Sequence, residues 1–427
     1  MLDVALFSLL TSAHDYSGNG ERRESLGSGG LSVSSLGGWS VRTTRRPARV
    51  AVAVGVASVF ALAACSSSGG SSADAGGKSS ATPAAPATPA THVVTDLSGA
   101  TVTVPTTVNR IAEQFPAHVV ADIMLGVGDK LVAIPQNVST IPFLRTVQPS
   151  ITKVPQLFHS GNVNMEQLLA QKPDVVSAIS GGDTVKPFQA AGIPAVTMFF
   201  PKYAQLQQST TVAGETYGGA AVARAKAYNA YFDKVDSTLT SRLAKAATKP
   251  TVVYIEAYTG NNIVVQGGSS LIDQWITKAG GTDAAKGISG GRVNVTMEQL
   301  LQWNPDNLII QTPGGDQGLA ADTGASVLAG LSKISGWSDL KAVKSDKVFI
   351  DPSGLYAWGQ YTVEQALQLQ WVAKVLNPSL FADVDLRSVT RDFYKNHFGY
   401  TPSDTQLNTI LQTTSPDGIA TAKNAIS

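Results

Sequence analysis

The chain has 427 residues, enough for two or three domains of ordinary size and a sizeable core. Hydrophobic residues make up 43% and charged residues only 15%, which excludes a charge-rich disordered chain and leaves a globular reading for most of its length. With 32 Lys+Arg against 31 Asp+Glu the net charge is +1, so no overall basic field exists to hold nucleic acid, and the single cysteine excludes an intrachain disulfide and a multi-cysteine metal site. Residues 1–40 show no clear periodicity and carry Gly/Ser-rich pieces. They precede what reads as an export signal, and such signals begin within a few residues of their charges, so this stretch is expected to be a mis-assigned N-terminal extension.

Residues 41–64 read as that signal. Arg42, Arg45, Arg46 and Arg49 precede an apolar run from Val50 to Leu62, too short to span ~30 Å of hydrocarbon as a permanent helix. The Arg45-Arg46 pair hints at twin-arginine export, although Pro47 and Ala48 fit that pattern poorly. Leu62-Ala63-Ala64-Cys65 resembles the bacterial lipobox, which implies that Cys65 is lipidated and becomes the first residue of the mature protein. The bland alternative is a small buried cysteine in a core helix. Residues 65–91 form a Ser/Gly/Ala/Pro tract with little capacity to pack, which suits a flexible tether.

From His92 onward apolar segments alternate with turns. Val93–Asp96 and Thr101–Val104, around a Ser98-Gly99 turn, predict a hairpin. Short apolar runs then recur at Lys130–Ile134, Val175–Ile179, Ala195–Phe199, Thr251–Glu256, Leu308–Gln311 and Lys347–Ile350, each followed by a helix-length stretch. Strands alternating with helices imply α/β layers with mostly parallel sheets. An internal repeat divides them. Met165-Glu166-Gln167-Leu168-Leu169 is matched by Met297-Glu298-Gln299-Leu300-Leu301, and Pro173-Asp174 by Pro305-Asp306 at the same offset, with Gly181-Gly182-Asp183 and Gly314-Gly315-Asp316 beyond each following strand. Two similar lobes are expected, residues 92–218 and 248–427. Between them Gly219–Ala247 reads as one long helix, with Ala221, Ala225, Tyr228, Phe232, Val235, Leu239 and Leu243 at spacings of 3 or 4 before Pro250. About 28 residues at 1.5 Å each would run ~42 Å along both lobes, so the lobes should move little relative to each other. A coiled-coil dimer stripe would need more heptads. Beyond Pro378, Asp385–Phe398 and Ser403–Gln412 predict two helices capping the second lobe.

With a lipobox, a tether, twin lobes and a bridging helix in hand, the chain resembles the substrate-binding lipoproteins of ABC importers for iron complexes, haem and cobalamin. The resemblance is carried by Val94–Val104 leading into Asn109-Arg110-Ile111-Ala112, by Leu125–Val132, Asn164–Val176, Ala191-Gly192-Ile193-Pro194 and Met297–Ile310, and by Trp337–Ile350 and Leu355–Pro378. It implies two lobes joined by a rigid helix with the ligand in a shallow cleft between them. It also implies a monomer that needs no cofactor, anchored outside the cytoplasmic membrane, and a permease dimer with its ATPase subunits as partners. By motif, Glu166 and Glu298 are the glutamates that dock on permease arginines. Two equivalent carboxylates can meet two equivalent guanidinium clusters as charge-assisted pairs, whereas the plain alternative is that each merely favours the positive end of its own helix.

Ligands of open α/β sheets bind beyond the carboxyl ends of the strands. The loops expected there carry Phe115, Tyr203, Tyr258, Tyr356, Trp358 and Tyr361, and aromatic faces suit a large, partly apolar ligand such as a macrocycle or catecholate. Such rings also pack lobes together. Arg292 is the best charged candidate, able to pair with an anionic chelate or to tie down its own glycine-rich loop. His118 and His159 fall in first-lobe loops, and Tyr203 or Tyr258 could give a phenolate to a haem iron, with a solvated or structural histidine as the alternative. No His-rich loop offers the converging ligands that bare zinc or manganese requires, so no metal site of the protein's own is expected. The ligand is expected to be an iron–siderophore complex, haem or cobalamin.

Two rival classes stand beside this. Gly287-Ile288-Ser289-Gly290-Gly291 matches G-x-S-x-G, with Asp351 and His397 following in hydrolase order, yet no apolar strand leads into Ser289. Ser150-Ile151-Thr152-Lys153 matches Ser-x-x-Lys without its companion motifs. A surface adhesion or structural lipoprotein would share the anchor without explaining the duplicated glutamates.

Overall fold

The computed structural model describes residues 90–159, 162–259, 262–268, 270–311 and 324–426. The expected signal, Cys65, nearly all of the tether and Gly314-Gly315-Asp316 lie outside the described residues. The predicted hairpin is present as Thr91–Thr95 (β1) paired antiparallel with Thr101–Pro105 (β2). Asp96 anchors its turn: Oδ1 accepts from the Ser98 and Ala100 amides, and Oδ2 from the Thr197 amide at 3.0 Å.

The first lobe continues as Ile111–Glu113 (β3), Pro116–Met124 (α1), Leu131–Pro135 (β4), Pro142–Val147 (α2), Gln156–His159 (β5), Asn162–Val163 (β6), Met165–Ala170 (α3), Val175–Ala178 (β7), Lys186–Ala190 (α4) and Ala195–Thr197 (β8). Its sheet runs β6-β5-β4-β3-β7-β8, parallel except for the β5–β6 pair. Leu206–Tyr217 (α5) then meets the bridging helix Ala220–Leu243 (α6) at Gly218 and Gly219, whose φ of 69° and 54° are left-handed values that a side chain would resist.

The second lobe comprises Thr251–Thr259 (β9), Asn262–Gln266 (β10), Leu271–Lys278 (α7), Thr282–Asp283 (β11), Arg292–Val295 (β12), Met297–Trp303 (α8), Asn307–Ile310 (β13), Gly324–Leu331 (α9), Lys341–Lys344 (α10) and Val348–Ile350 (β14). Its sheet runs β12-β10-β9-β13-β14, with β11 on the first residues of β9. Each run expected to be a strand is one. The Thr251–Glu256 run departs from expectation at its far end: β9 turns back into β10 rather than into a helix, so β10 pairs antiparallel with both β9 and β12.

The repeat has a physical basis. In each lobe an antiparallel edge strand leads into a short helix whose N-cap accepts from the third residue on: Asn164 Oδ1 from the Gln167 amide, Thr296 Oγ1 from the Gln299 amide. The Pro-Asp aspartate then holds the start of the central strand. Asp174 Oδ2 accepts from the Asn109 and Arg110 amides, and Asp306 Oδ2 from the Thr251 amide.

The α6 helix has 24 residues, about 36 Å. Ala221, Ala225, Tyr228, Phe232, Val235 and Leu239 are buried as the spacing predicts, and only Leu243 is half-buried. The helix ends four residues early because i→i+3 bonds from Lys245 and Ala246 tighten its last turn. One continuous apolar core joins first-lobe residues such as Ile111 and Val196 through Phe232 to second-lobe residues such as Trp275 and Ile309. A shared core resists hinge motion more than a helix alone would. The Tyr228 hydroxyl donates to the Val363 carbonyl at 2.7 Å from within this core. Tyr228→Phe is therefore expected to cost about 1 kcal/mol, since it leaves a buried acceptor unpaired. A lower urea midpoint at constant slope would show it.

The terminal segments do more than cap the second lobe. Gln365–Leu376 (α11), Leu386–Phe398 (α12) and Asp404–Leu411 (α13) follow β14. From α12, Tyr394 meets Phe143 of α2 at 5.2 Å and Phe393 meets Tyr231 of α6 at 5.8 Å, so this helix packs on the first lobe and the bridge. The apolar stripe read on Asp385–Phe398 is real, but its partners are these rings. The tail after α13 returns to the second lobe, where the Ile350 amide donates to the Ala420 carbonyl beside β14.

Candidate functional site

Aromatic side chains from both lobes converge beyond the carboxyl ends of the strands. Phe115 caps α1 directly after β3, with Pro116 at the first helical position. The chain leaving β8 presents Phe199 and Phe200, and the segment between β14 and α11 presents Tyr361. Phe115 lies 4.8 Å from Phe199 and 6.3 Å from Tyr361, and Phe199 lies 5.0 Å from Tyr361, measured between ring centroids. These distances and tilts suit edge-to-face attraction. His118 stacks on Phe200 at 6.0 Å and meets Phe115 edge-on at 5.4 Å. Burial pushes its imidazole down to about 3, so the ring is neutral at physiological pH, and Nε2 has no partner among the described residues. His118 therefore lies buried on α1, not in a loop as the sequence suggested.

Beneath this cluster the first lobe buries two carboxyls. Glu113 at the end of β3 and Asp122 on α1 are both held above the ordinary carboxylate range, chiefly by desolvation; the Asp122 charge adds to the rise at Glu113, whereas contacts from Tyr217 and Glu113 pull Asp122 back down. Tyr217 donates to Asp122 Oδ1 at 2.8 Å and Glu113 Oε1 accepts from the Phe115 amide at 2.7 Å, so the dyad also fixes the start of α1. The second lobe buries a corresponding network. Tyr254 lies 2.6 Å from Gln311 Oε1 and 3.0 Å from Asp351 Oδ2, and Gln360 donates to Gln311 at 2.8 Å.

The charged part of the site comes from three neighbouring strands. Arg292 Nε stands 3.4 Å from Glu256 Oε1, and Gln266 Nε2 donates to Glu256 Oε2 at 2.9 Å. The Glu256 charge is felt at Tyr361: burial first, then that charge, pushes the phenol up to about 12, so it stays neutral.

Of the residues expected at the site, Phe115, His118 and Tyr361 come together, and Arg292 pairs with Glu256, whose charge is felt at Tyr361. The other four lie outside that ring cluster. Tyr203 is buried against Phe232 of α6 at 5.6 Å, with burial raising its pKa well above the ordinary phenol, which disfavours a phenolate for iron. Tyr258 packs on α9, its hydroxyl in the space that a Cβ on Gly330 would fill. Tyr356 and Trp358 are buried in the loop before α11, where Glu364 accepts from the Leu355 and Tyr356 amides and from Tyr394. His159 is exposed and contacts Gln136 Oε1 at 2.9 Å. Phe199, Phe200, Glu256 and Gln266 were not singled out in the sequence; the Phe-Phe pair directly after a strand was the available signal.

Among the described residues no cluster of three or more His, Cys, Asp or Glu could hold a metal ion. Ser289 is exposed between two short strands with no helix after it, while Asp351 is tied to Tyr254 and His397 packs against Tyr228, Tyr231 and Phe393. The hydrolase constellation is thus not assembled. Glu166 and Glu298 are both exposed at the second position of α3 and α8. The Thr296 hydroxyl, then the Glu298 amide, hold the Glu298 carboxyl below its usual range.

Twin α/β lobes sharing a core through one long helix, with a site built from both, define a two-lobed solute receptor. A family model described as periplasmic binding protein matches residues 111–355, and the chain belongs to that family. It is 25% identical over 338 residues to the molybdate-binding protein MolA of Haemophilus influenzae, covering 72% of this chain and 90% of that one. It is 26% identical over 301 residues to YvrC of Bacillus subtilis, described as an uncharacterized ABC transporter substrate-binding lipoprotein, covering 68% and 87%. A periplasmic solute binding protein from Veillonella parvula superposes with a TM-score of 0.64 at 27% identity, covering 75% of this chain and 97% of that one. The chain is accordingly a substrate-binding protein of the ABC-transporter kind, acting outside the cytoplasm.

Proposed function

We propose that the protein captures a chelated metal compound between its lobes, a ferric siderophore foremost and haem or cobalamin otherwise. It then delivers the compound to a permease through Glu166 and Glu298, from a lipid anchor at Cys65. The observation that carries this reading is the meeting of Phe115 and Phe199 with Tyr361 across the lobes. Apolar ring faces beside one neutralised ion pair suit a bulky, partly apolar complex. A second reading, capture of an oxyanion by Arg292, is motivated by the Haemophilus influenzae relative described as molybdate-binding.

Native mass spectrometry and tryptophan quenching against ferric siderophores, haem, cobalamin and molybdate separate the readings. Tyr361→Ala is expected to weaken chelate binding by about 10–100-fold, the loss of one well-placed aromatic contact. Unchanged affinity in this variant would remove the cleft from the proposal.

A further inference from the structure

Among the described residues the strand-end segments present one half-buried cation, Arg292, and the same chain supplies its counter-charge. Among the described residues of the strand-end segments, Lys202 and Lys286 are exposed, whereas the Arg292 side chain is 23% exposed. Its partner Glu256 owes its position to an irregularity in the sheet. Ile255 pairs with Val265 and Ala257 with Val264, so Glu256 is an extra residue on β9, a bulge of the sort that re-aims a side chain beside a site. Gln266 and Arg292 face each other directly in the β10–β12 ladder. Both then reach the same carboxylate, one oxygen each.

We propose that Glu256 is the specificity-determining residue of the cleft: by neutralising Arg292 it makes the site select against small divalent oxyanions and in favour of chelates of low net charge. This rests on the reading that the cleft is the solute site. A guanidinium left free in a half-buried site would be a ready partner for a tetrahedral dianion. With Glu256 engaged, a dianion must either break the pair and strand a poorly solvated carboxylate, or sit beside that like charge. A chelate of low charge meets neither obstacle, since it can lay its apolar rim on Phe199 and Tyr361 and leave the pair intact.

The test titrates the whole receptor with sodium molybdate and with a ferric trihydroxamate, comparing wild type with Glu256→Gln, which keeps an oxygen for Gln266. Molybdate affinity is expected to rise at least about tenfold in Glu256→Gln, and the gain should vanish in Glu256→Gln with Arg292→Gln. Molybdate affinity that is unchanged or lower in Glu256→Gln overturns the inference. Tyr361→Ala, measured in parallel, keeps the two readings apart. If Tyr361→Ala weakens trihydroxamate binding but Glu256→Gln gains no molybdate affinity, only the charge-setting role fails. If Tyr361→Ala leaves both ligands unaffected, the cleft reading fails and takes this inference with it.

Discussion

Replacing Glu166 and Glu298 together by arginine is expected to abolish solute uptake while leaving solute affinity unchanged. Both carboxylates are exposed and neither touches the aromatic cluster. Their helices are held by other means: Asn164 and Thr296 cap them, and Leu168 and Leu300 bury their inner faces. Reversing a charge at the second position of a short helix forfeits a favourable dipole term of a few tenths to about 1 kcal/mol, which a shared core can absorb. At a docking surface the same change is far larger. A carboxylate facing a guanidinium cluster becomes a cation facing cations, and losing one partner of such a pair costs about 2–5 kcal/mol. Two such losses predict a fall in delivery of well over about 100-fold, with each single variant retaining part of the activity. Uptake into cells carrying the permease, alongside solute titration of the purified variants, measures both halves. Normal uptake by the double variant would leave the two glutamates as helix-terminus residues only.

The duplicated glutamates were legible because a repeat is a property of spacing, and spacing survives without coordinates. The same holds for α6, where six buried positions follow a 3.6-residue period, and for β7 and β13, which are buried at every position and apolar at all but Ser177 and Asn307 because both faces of those strands are covered. What escaped was structure made by pairing. β3 is three residues long and has no pattern of its own; it exists because β4 and β7 flank it. β10 was missed because a hairpin after β9 replaces the expected crossover helix. The site shows the same division. Proximity to strand ends singles out Phe115 and Tyr361, but position alone cannot tell half-buried rings that meet across the lobes from fully buried ones, and Tyr203, Tyr356 and Trp358, equally close to strand ends, are of the second kind. Glu256 was hidden for a different reason. In sequence it ends an apolar run, and only the one-residue shift of β9 against β10 turns it toward Arg292.

Stability is expected to fall as pH rises from 5 to 8, opposite to the behaviour of a protein held by surface ion pairs. Asp351 decides the sign. Burial pushes its carboxyl up to about 7, against the pull of contacts from Gln368, Tyr254 and the Gly359 backbone. Hydrogen-bond geometry agrees. Tyr254 has one proton to give, Gln311 Oε1 takes it at 2.6 Å, and the 3.0 Å contact with Asp351 Oδ2 is then satisfied only if the carboxyl carries a proton of its own. In the unfolded chain the same group ionises near 3.9. Between those two values the folded state binds the extra proton. The contribution is therefore fully present below the unfolded pKa and is lost as pH climbs through 7. One proton over that interval makes pH 8 less stable than pH 5 by about 3 kcal/mol. Asp283 and Glu364, each raised by burial to about 7, and the Glu113–Asp122 dyad push the same way, whereas His118, pushed down to about 3, and His397, also lowered by burial, pull the other way up to the unfolded imidazole pKa near 6.5 and are outnumbered by the buried carboxyls. Asp351→Asn removes the titration while its amide can still donate to Tyr254, so urea unfolding of this variant should show a flatter pH profile than wild type. A wild-type midpoint that climbs between pH 5 and 8 would mean that these carboxyls are ionised in the folded chain, and that the polar floor of the second lobe is solvated rather than dry.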